Sequence, residues 1–224
     1  MSELETKHVP APHAGLPVRT LGAGLGEAKA AMILIHGRGS SAGDMLGLAR
    51  MLAQDGFVYV APQAAGNTWY PNRFLAPIES NEPNLSSALA VVETLVAQLG
   101  EQGIPQEKII LLGFSQGACL VQEYAVRNPG RYGGRFGGIV GLSGGLIGPP
   151  GSQWNFGGNL NGTPVFLGCS DVDFHIPLER VDESATVFER LGADVTKRIY
   201  PGMGHTVNED EIGFVREMMG KIFD

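Results

Sequence analysis

A chain of 224 residues with 43% hydrophobic content is long enough to bury one good-sized core and predicts one domain. Its formal net charge of −7, with no basic run anywhere, argues against nucleic acid or an anionic membrane as partner, since both need clustered Lys and Arg. Two cysteines, Cys119 and Cys169, make no disulfide framework and read as reduced thiols, one in a core helix and one at a strand end.

Residues 1–15 mix charges, prolines and histidines without an apolar run. They read as a flexible N-terminal arm, neither signal peptide nor anchor, so the expected location is the cytoplasm and no membrane insertion is expected. The predicted domain spans 16–224. It opens with a short edge strand at 18–21 and a Gly-rich turn, after which strands and helices alternate. Strands are expected at 31–35, 57–61, 108–112, 137–142, 163–168 and 195–200, and helices at 44–54, 85–102, 116–127, 179–191 and 208–222. Most of the strands are nearly continuous apolar runs, the pattern of strands covered on both faces. Strands separated by helices imply right-handed crossovers, giving an α/β fold with a mostly parallel, doubly wound sheet and helices on both faces. Two stretches lack a clear period: 63–84, with Trp69, Tyr70 and Phe74 as candidates for a substrate pocket, and 146–162, with Trp154 and Phe156.

Between the strand at 108–112 and the helix after it stands Gly113-Phe114-Ser115-Gln116-Gly117, a G-x-S-x-G sequence. A serine on a sharp strand-to-helix turn is held strained with its hydroxyl exposed, and the flanking glycines avoid Cβ clashes where strand and helix nearly touch. The helix N-terminus also offers unpaired N–H groups to an oxyanion. Ser115 is therefore the candidate nucleophile. Gly141-Leu142-Ser143-Gly144-Gly145 repeats the letters, but Pro149 and Pro150 follow and no helix can begin there. Ser143 reads as a turn residue.

Serine needs a general base, and the base needs an orienting acid. In a doubly wound sheet such groups collect at the carboxyl ends of strands. Of the five histidines, His8 and His13 fall in the arm and read as surface or disordered residues, and His36 reads as structural. His205 fits best as the base, on the loop Pro201-Gly202-Met203-Gly204-His205 after the last strand, with His175 as a weaker rival. The acid is either Asp171 or Asp173, one residue apart in Ser170-Asp171-Val172-Asp173, which pattern alone does not separate. Two N–H donors are required for the oxyanion: Gln116 supplies one, and Arg38, glycine-flanked in His36-Gly37-Arg38-Gly39, is placed for the other. The Arg38 side chain reads either as a solvated surface group or as a contact for a substrate's polar head.

Taken together, His36-Gly37-Arg38-Gly39, Ala61-Pro62-Gln63, the Ser115 motif, Leu142-Ser143-Gly144, the segment from Asp173 to Pro177 and Gly202-Met203-Gly204-His205 make the chain, from about Met32 to its end, resemble the phospholipase/carboxylesterase family of α/β-hydrolases. The resemblance implies an α/β-hydrolase fold, a Ser-His-Asp triad and an acyl-enzyme route with no metal or organic cofactor. It implies that the acid is Asp173, four residues before Pro177, although Phe174 stands where the family has proline and His175 is unusual beside the acid. It implies backbone oxyanion donors at Arg38 and Gln116, a small-molecule ester substrate, and a monomer or homodimer. The Trp69-Tyr70-Pro71 loop differs from that of thioesterase members, which favours small or medium acyl esters over acyl-protein thioesterase or lysophospholipase activity. A non-catalytic binding protein on this fold is disfavoured because no triad member is missing.

Overall fold

The computed structural model describes residues 4–130 and 134–223. Among these, strands β1 (Val18–Gly22), β2 (Ala30–Ile35), β3 (Phe57–Pro62), β4 (Ile109–Phe114), β5 (Gly138–Leu142), β6 (Pro164–Ser170) and β7 (Asp194–Tyr200) form one sheet in the order β1-β3-β2-β4-β5-β6-β7. β1 runs antiparallel to β3, Val18 opposite Pro62, and every other neighbour is parallel. The helices are α1 (Ala42–Met51), α2 (Asn84–Glu101), α3 (Gln116–Arg127), α4 (Leu178–Arg190) and α5 (Glu209–Gly220). This is the α/β-hydrolase arrangement. No helix of the described residues is long and apolar enough to cross a membrane.

The continuous apolar strands are explained by two cores. On β2, Ala31, Ile33 and Ile35 face one core with α2, α3 and α4, while Ala30, Met32 and Leu34 face the other with α1 and α5. β4 divides the same way, Ile109 and Leu111 against Ile110 and Leu112. Each fully buried aliphatic side chain of this kind contributes about 1.5–3 kcal/mol. Both faces are apolar, so hydrophobicity alone does not fix the register of these strands; the two cores differ in the sizes of the side chains they must interlock.

Helix starts follow capping chemistry more closely than periodicity. α1 begins two residues before its expected start because Ser41 accepts the Asp44 N–H at 3.2 Å while Asp44 accepts the Ser41 N–H at 2.9 Å. Asn208 and Glu211 repeat that reciprocal box at α5. One expectation is overturned: within the arm predicted for 1–15, residues 4–15 are strapped to α2. Gln98 bonds the backbone of Glu5 in both directions, at 3.1 and 3.0 Å, and Ser87 accepts the His13 N–H at 3.1 Å. Leu4, Val9 and His13 are buried. Proline and histidine content resembled a tail, but two spaced apolar residues and matched polar groups on α2 give the segment partners. Residues 1–3 of that predicted arm lie outside the described residues.

Glu211 is fully buried against Gly168, and its Oε1 has no hydrogen-bond partner. Burial, opposed by the Asn208 N–H and reinforced by Asp210, pushes its pKa from 4.5 up to about 7. A raised folded pKa means that the folded state holds the proton more tightly than the unfolded one. This contribution to stability is therefore complete below 4.5 and is lost as pH rises through about 7. Glu211→Gln keeps the capping acceptor and removes the titration, so thermal melts should show its Tm advantage over wild type growing between about pH 5 and 8. A constant difference across that range would show that Glu211 is not the titrating group.

Candidate active site

β4 runs directly into Ser115, whose φ of 55° and ψ of −119° place a non-glycine residue in a strained region. Packing imposes that conformation. A Cβ on Gly113 would lie 2.2 Å from the Gly117 carbonyl oxygen, and one on Gly117 would lie 2.0 Å from that of Ile35. The start of α3 is thus pressed onto the ends of β2 and β4 at a distance only glycine permits. The Ser115 N–H donates to Leu142 at 2.9 Å, and its carbonyl accepts from Cys119 at 3.0 Å, closing the turn on both sides.

The loops after β6 and β7 bring their side chains to the same point. His205 Nε2 lies 2.9 Å from Ser115 Oγ, and its Nδ1 lies 2.7 Å from Asp173 Oδ2. An ionised carboxylate only accepts, so Nδ1 carries the proton and Nε2 is left to accept from the serine hydroxyl. Burial works to raise the Asp173 pKa. The hydrogen bond from His205 and the N–H groups of His175 and Ile176, at 2.8 and 3.1 Å, outweigh it and hold the carboxyl below its ordinary value. Asp171 faces elsewhere and accepts the Gly202 N–H at 2.7 Å, tying down the loop that carries His205. The His175 ring packs edge-on against that of His205, with centroids 4.8 Å apart.

The loop after β2 completes the cluster. His36 is fully buried, and burial pulls its pKa below the ordinary value. It bonds the Gly37 carbonyl through Nδ1 at 2.7 Å and accepts the Ala64 N–H on Nε2 at 3.1 Å, a neutral tautomer bracing the loop. Arg38 donates to the carbonyls of Tyr70, Pro71 and Asn72 at 2.8, 2.9 and 2.6 Å. Gln116 grips the same segment with its side-chain amide, accepting from the Trp69 N–H at 2.9 Å and donating to the Tyr70 carbonyl at 2.8 Å. Among the described residues, the backbone N–H groups of Arg38 and Gln116 meet no protein acceptor.

A cleft of about 340 Å³ opens onto Ser115 and His205, walled by Tyr70, Phe74, Phe114 and Ile176. A second cavity of about 470 Å³ lies among Glu107, Lys108, Asp194 and Phe214, toward the amino ends of the strands, and none of the clustered residues lines it. Both cysteines are buried free thiols, and burial above all pushes each up to about 12, leaving them neutral.

The family model described as phospholipase/carboxylesterase matches residues 21–222. The chain belongs to the phospholipase/carboxylesterase family. Acyl-protein thioesterase 1 of Eremothecium gossypii is 30% identical over 216 residues, covering 84% of this chain and 88% of that protein. Acyl-protein thioesterase 1 of Candida albicans is 28% identical over 221 residues, covering 88% and 94%. The crystal structure of a phospholipase/carboxylesterase from Dyadobacter fermentans DSM 18053 superimposes with a TM-score of 0.85 at 42% identity, covering 94% of this chain and 97% of that one. This phospholipase/carboxylesterase-family chain is an ester-bond hydrolase.

Within this family member, Ser115, His205, Asp173, Arg38 and Gln116 lie together, and Asp171, His36 and Ser143 stay outside that cluster. Ser143 sits fully buried in a turn, its N–H on the Gly168 carbonyl at 2.7 Å. Three expectations change. Trp69 does not line the cleft: it is fully buried and donates its indole N–H to the His36 carbonyl at 2.9 Å, whereas Tyr70 and Phe74 do face it. The Arg38 guanidinium is not a loose surface group, because three carbonyls hold it. His13 is not a surface residue but bonds Trp69 and Ala65 beneath the loop, at 2.9 and 3.1 Å. The sequence reading assigns Gln116 only a backbone role, and the bracing by its side-chain amide is a finding of the structure, its available signal being a glutamine between Ser115 and a glycine.

Gly117→Ala would drive a Cβ into the Ile35 backbone, which cannot swing aside. It should lower stability by about 3 kcal/mol, the upper end of overpacking costs. Urea unfolding measures this, and a midpoint equal to wild type would mean that the helix and strand are not in such close contact.

Proposed function

We propose that the chain hydrolyses carboxylic esters of small or medium acyl groups, with Ser115 as nucleophile, His205 as general base and acid, and Asp173 as its orienting partner. The observation that carries this reading is the continuous hydrogen-bond relay of 2.9 Å from Ser115 to His205 and 2.7 Å from His205 to Asp173, beside two uncommitted backbone N–H groups.

Nε2 of His205 takes the Ser115 proton as Oγ attacks the ester carbonyl. The imidazolium formed is stabilised by ionised Asp173, whose remaining oxygen is already satisfied by two N–H groups and so does not turn away. Negative charge collects on the carbonyl oxygen, where the N–H groups of Arg38 and Gln116 receive it, each such donor typically supplying about 3–4 kcal/mol to the transition state. His205 then protonates the leaving alcohol. Water, activated by the same nitrogen, attacks the acyl-enzyme and returns the serine. A cleft of about 340 Å³ sits near the lower end of ordinary ligand pockets, about 300–1,000 Å³, which supports short or medium acyl groups.

Ser115→Ala should lower kcat for p-nitrophenyl esters by a factor on the order of 10⁵ or more. A fluorophosphonate should label wild type at Ser115 and leave the variant unlabelled; wild-type rates in Ser115→Ala would end the proposal. Asp173→Asn should cost on the order of 10⁴ in kcat, while Asp171→Asn keeps its acceptor for Gly202 and should stay close to wild type. The reverse pattern would move the acid to Asp171.

A further inference from the structure

Arg38 and Arg73 both line the apolar cleft, and no Asp or Glu does. In a chain of formal net charge −7 this is a local reversal of sign. The two arginines are in different states. Arg38 is spent on the carbonyls of Tyr70, Pro71 and Asn72. Arg73 is held only by its backbone: its carbonyl accepts the Ala76 N–H at 3.0 Å and the side-chain amide of fully buried Asn81 at 3.3 Å. Its guanidinium meets no acceptor or carboxylate among the described residues. The carboxylates around the site are already engaged, Asp173 with His205 and two N–H groups, Asp44 with Ser40 and Ser41. Arg73 is an exposed arginine on a pinned backbone at the border of a cleft without acids, and its planar donor fork lacks an anionic partner that a substrate can bring.

We propose that Arg73 is a specificity residue that receives a compact anion, a carboxylate or phosphate, carried by the ester substrate a few bonds from its scissile carbonyl. This rests on the Ser115–His205–Asp173 reading, because the anion matters only to an ester delivered to that serine. The apolar wall of Tyr70 and Phe74 takes the methylenes between carbonyl and anion. An exposed ion pair in open water yields little. Here the substrate's own apolar segment covers the cleft and removes water from one side of the guanidinium, which strengthens the pair.

The test compares kcat/KM for matched esters. On the acyl side the pair is p-nitrophenyl hydrogen glutarate against p-nitrophenyl valerate. On the alcohol side it is 2-acetoxyethyl phosphate against 2-methoxyethyl acetate, followed by pH-stat. In wild type the anionic member of at least one pair should be preferred. Arg73→Gln should reduce that anionic-to-neutral ratio by about tenfold, the scale of one lost charge-assisted hydrogen bond. Arg73→Glu should reduce it further, and Arg73→Lys should restore part of it. The pair that responds identifies which side of the ester carries the anion. Ratios unchanged by Arg73→Gln in both pairs, with the neutral esters turned over normally, would overturn the role of Arg73 and leave the triad standing. No turnover of any of the four esters by wild type would overturn the triad reading, and this proposal with it.

Discussion

The site depends on one close approach: the first turn of α3 lies against the carbonyl end of β2, so close that a single added carbon at Gly117 would sit 2.0 Å from a backbone oxygen. Because helix and strand touch there, Ser115 cannot relax into an ordinary helix or strand conformation and stays at φ 55°. The same contact brings the N–H of Gln116, on α3, beside the loop that follows β2, which carries Arg38. Ser115 and the two proposed oxyanion donors are therefore set by one packing distance, with no separate adjustment for each. Backbone against backbone is a stiff contact, which suits groups that must not reorganise as charge develops.

A rigid elbow would serve little if the β2 loop could wander, and a buried polar network beneath it, which includes His13, His36 and Gln116, prevents that. His36, His13, Trp69, Gln63 and the amide of Gln116 form a closed set of hydrogen bonds beneath residues 63–72. Burial lowers the pKa of both histidines, so they remain neutral and act as fixed donor–acceptor spacers. A buried network of this type specifies one geometry provided that its groups are satisfied. The N-terminal segment contributes directly, since His13 reaches the loop only because residues 4–15 are strapped to α2.

How much of this the sequence reveals depends on whether a residue's role is local. Ser115 is legible because strand, elbow and helix occupy consecutive positions, and Ser143 is dismissed for the same reason: prolines where its helix would start. Spacing leaves Asp171 and Asp173 unresolved, because alternate side chains on a loop point apart in a way that only the fold determines. Family resemblance favours Asp173, and the hydrogen bond to His205 lies on that residue. Trp69 and His13 depart from their sequence expectations for a common physical reason. Each is buried by contacts to residues 33 to 74 positions away in the sequence, such as His36 and Ser87, and no periodicity within their own segments records that.

Arg38 and Arg73 carry the same lesson into electrostatics. Both are arginines in Gly/Pro/Asn-rich loops, and sequence offers nothing to separate them, yet one is held by three carbonyls and the other meets no acceptor among the described residues. The distinction controls what the cleft can recognise. At physiological salt, charges separated by more than about 8 Å are largely screened, so the acidic character of the whole chain neither draws in nor strongly repels a substrate already at the mouth. At contact range a single unpaired guanidinium outweighs distant carboxylates, and the walls of Tyr70 and Phe74 reduce the water that would weaken it. Carbonyl acceptors leave both positive charges in place, so what loop folding decides, and composition does not, is which guanidinium is already held by protein groups.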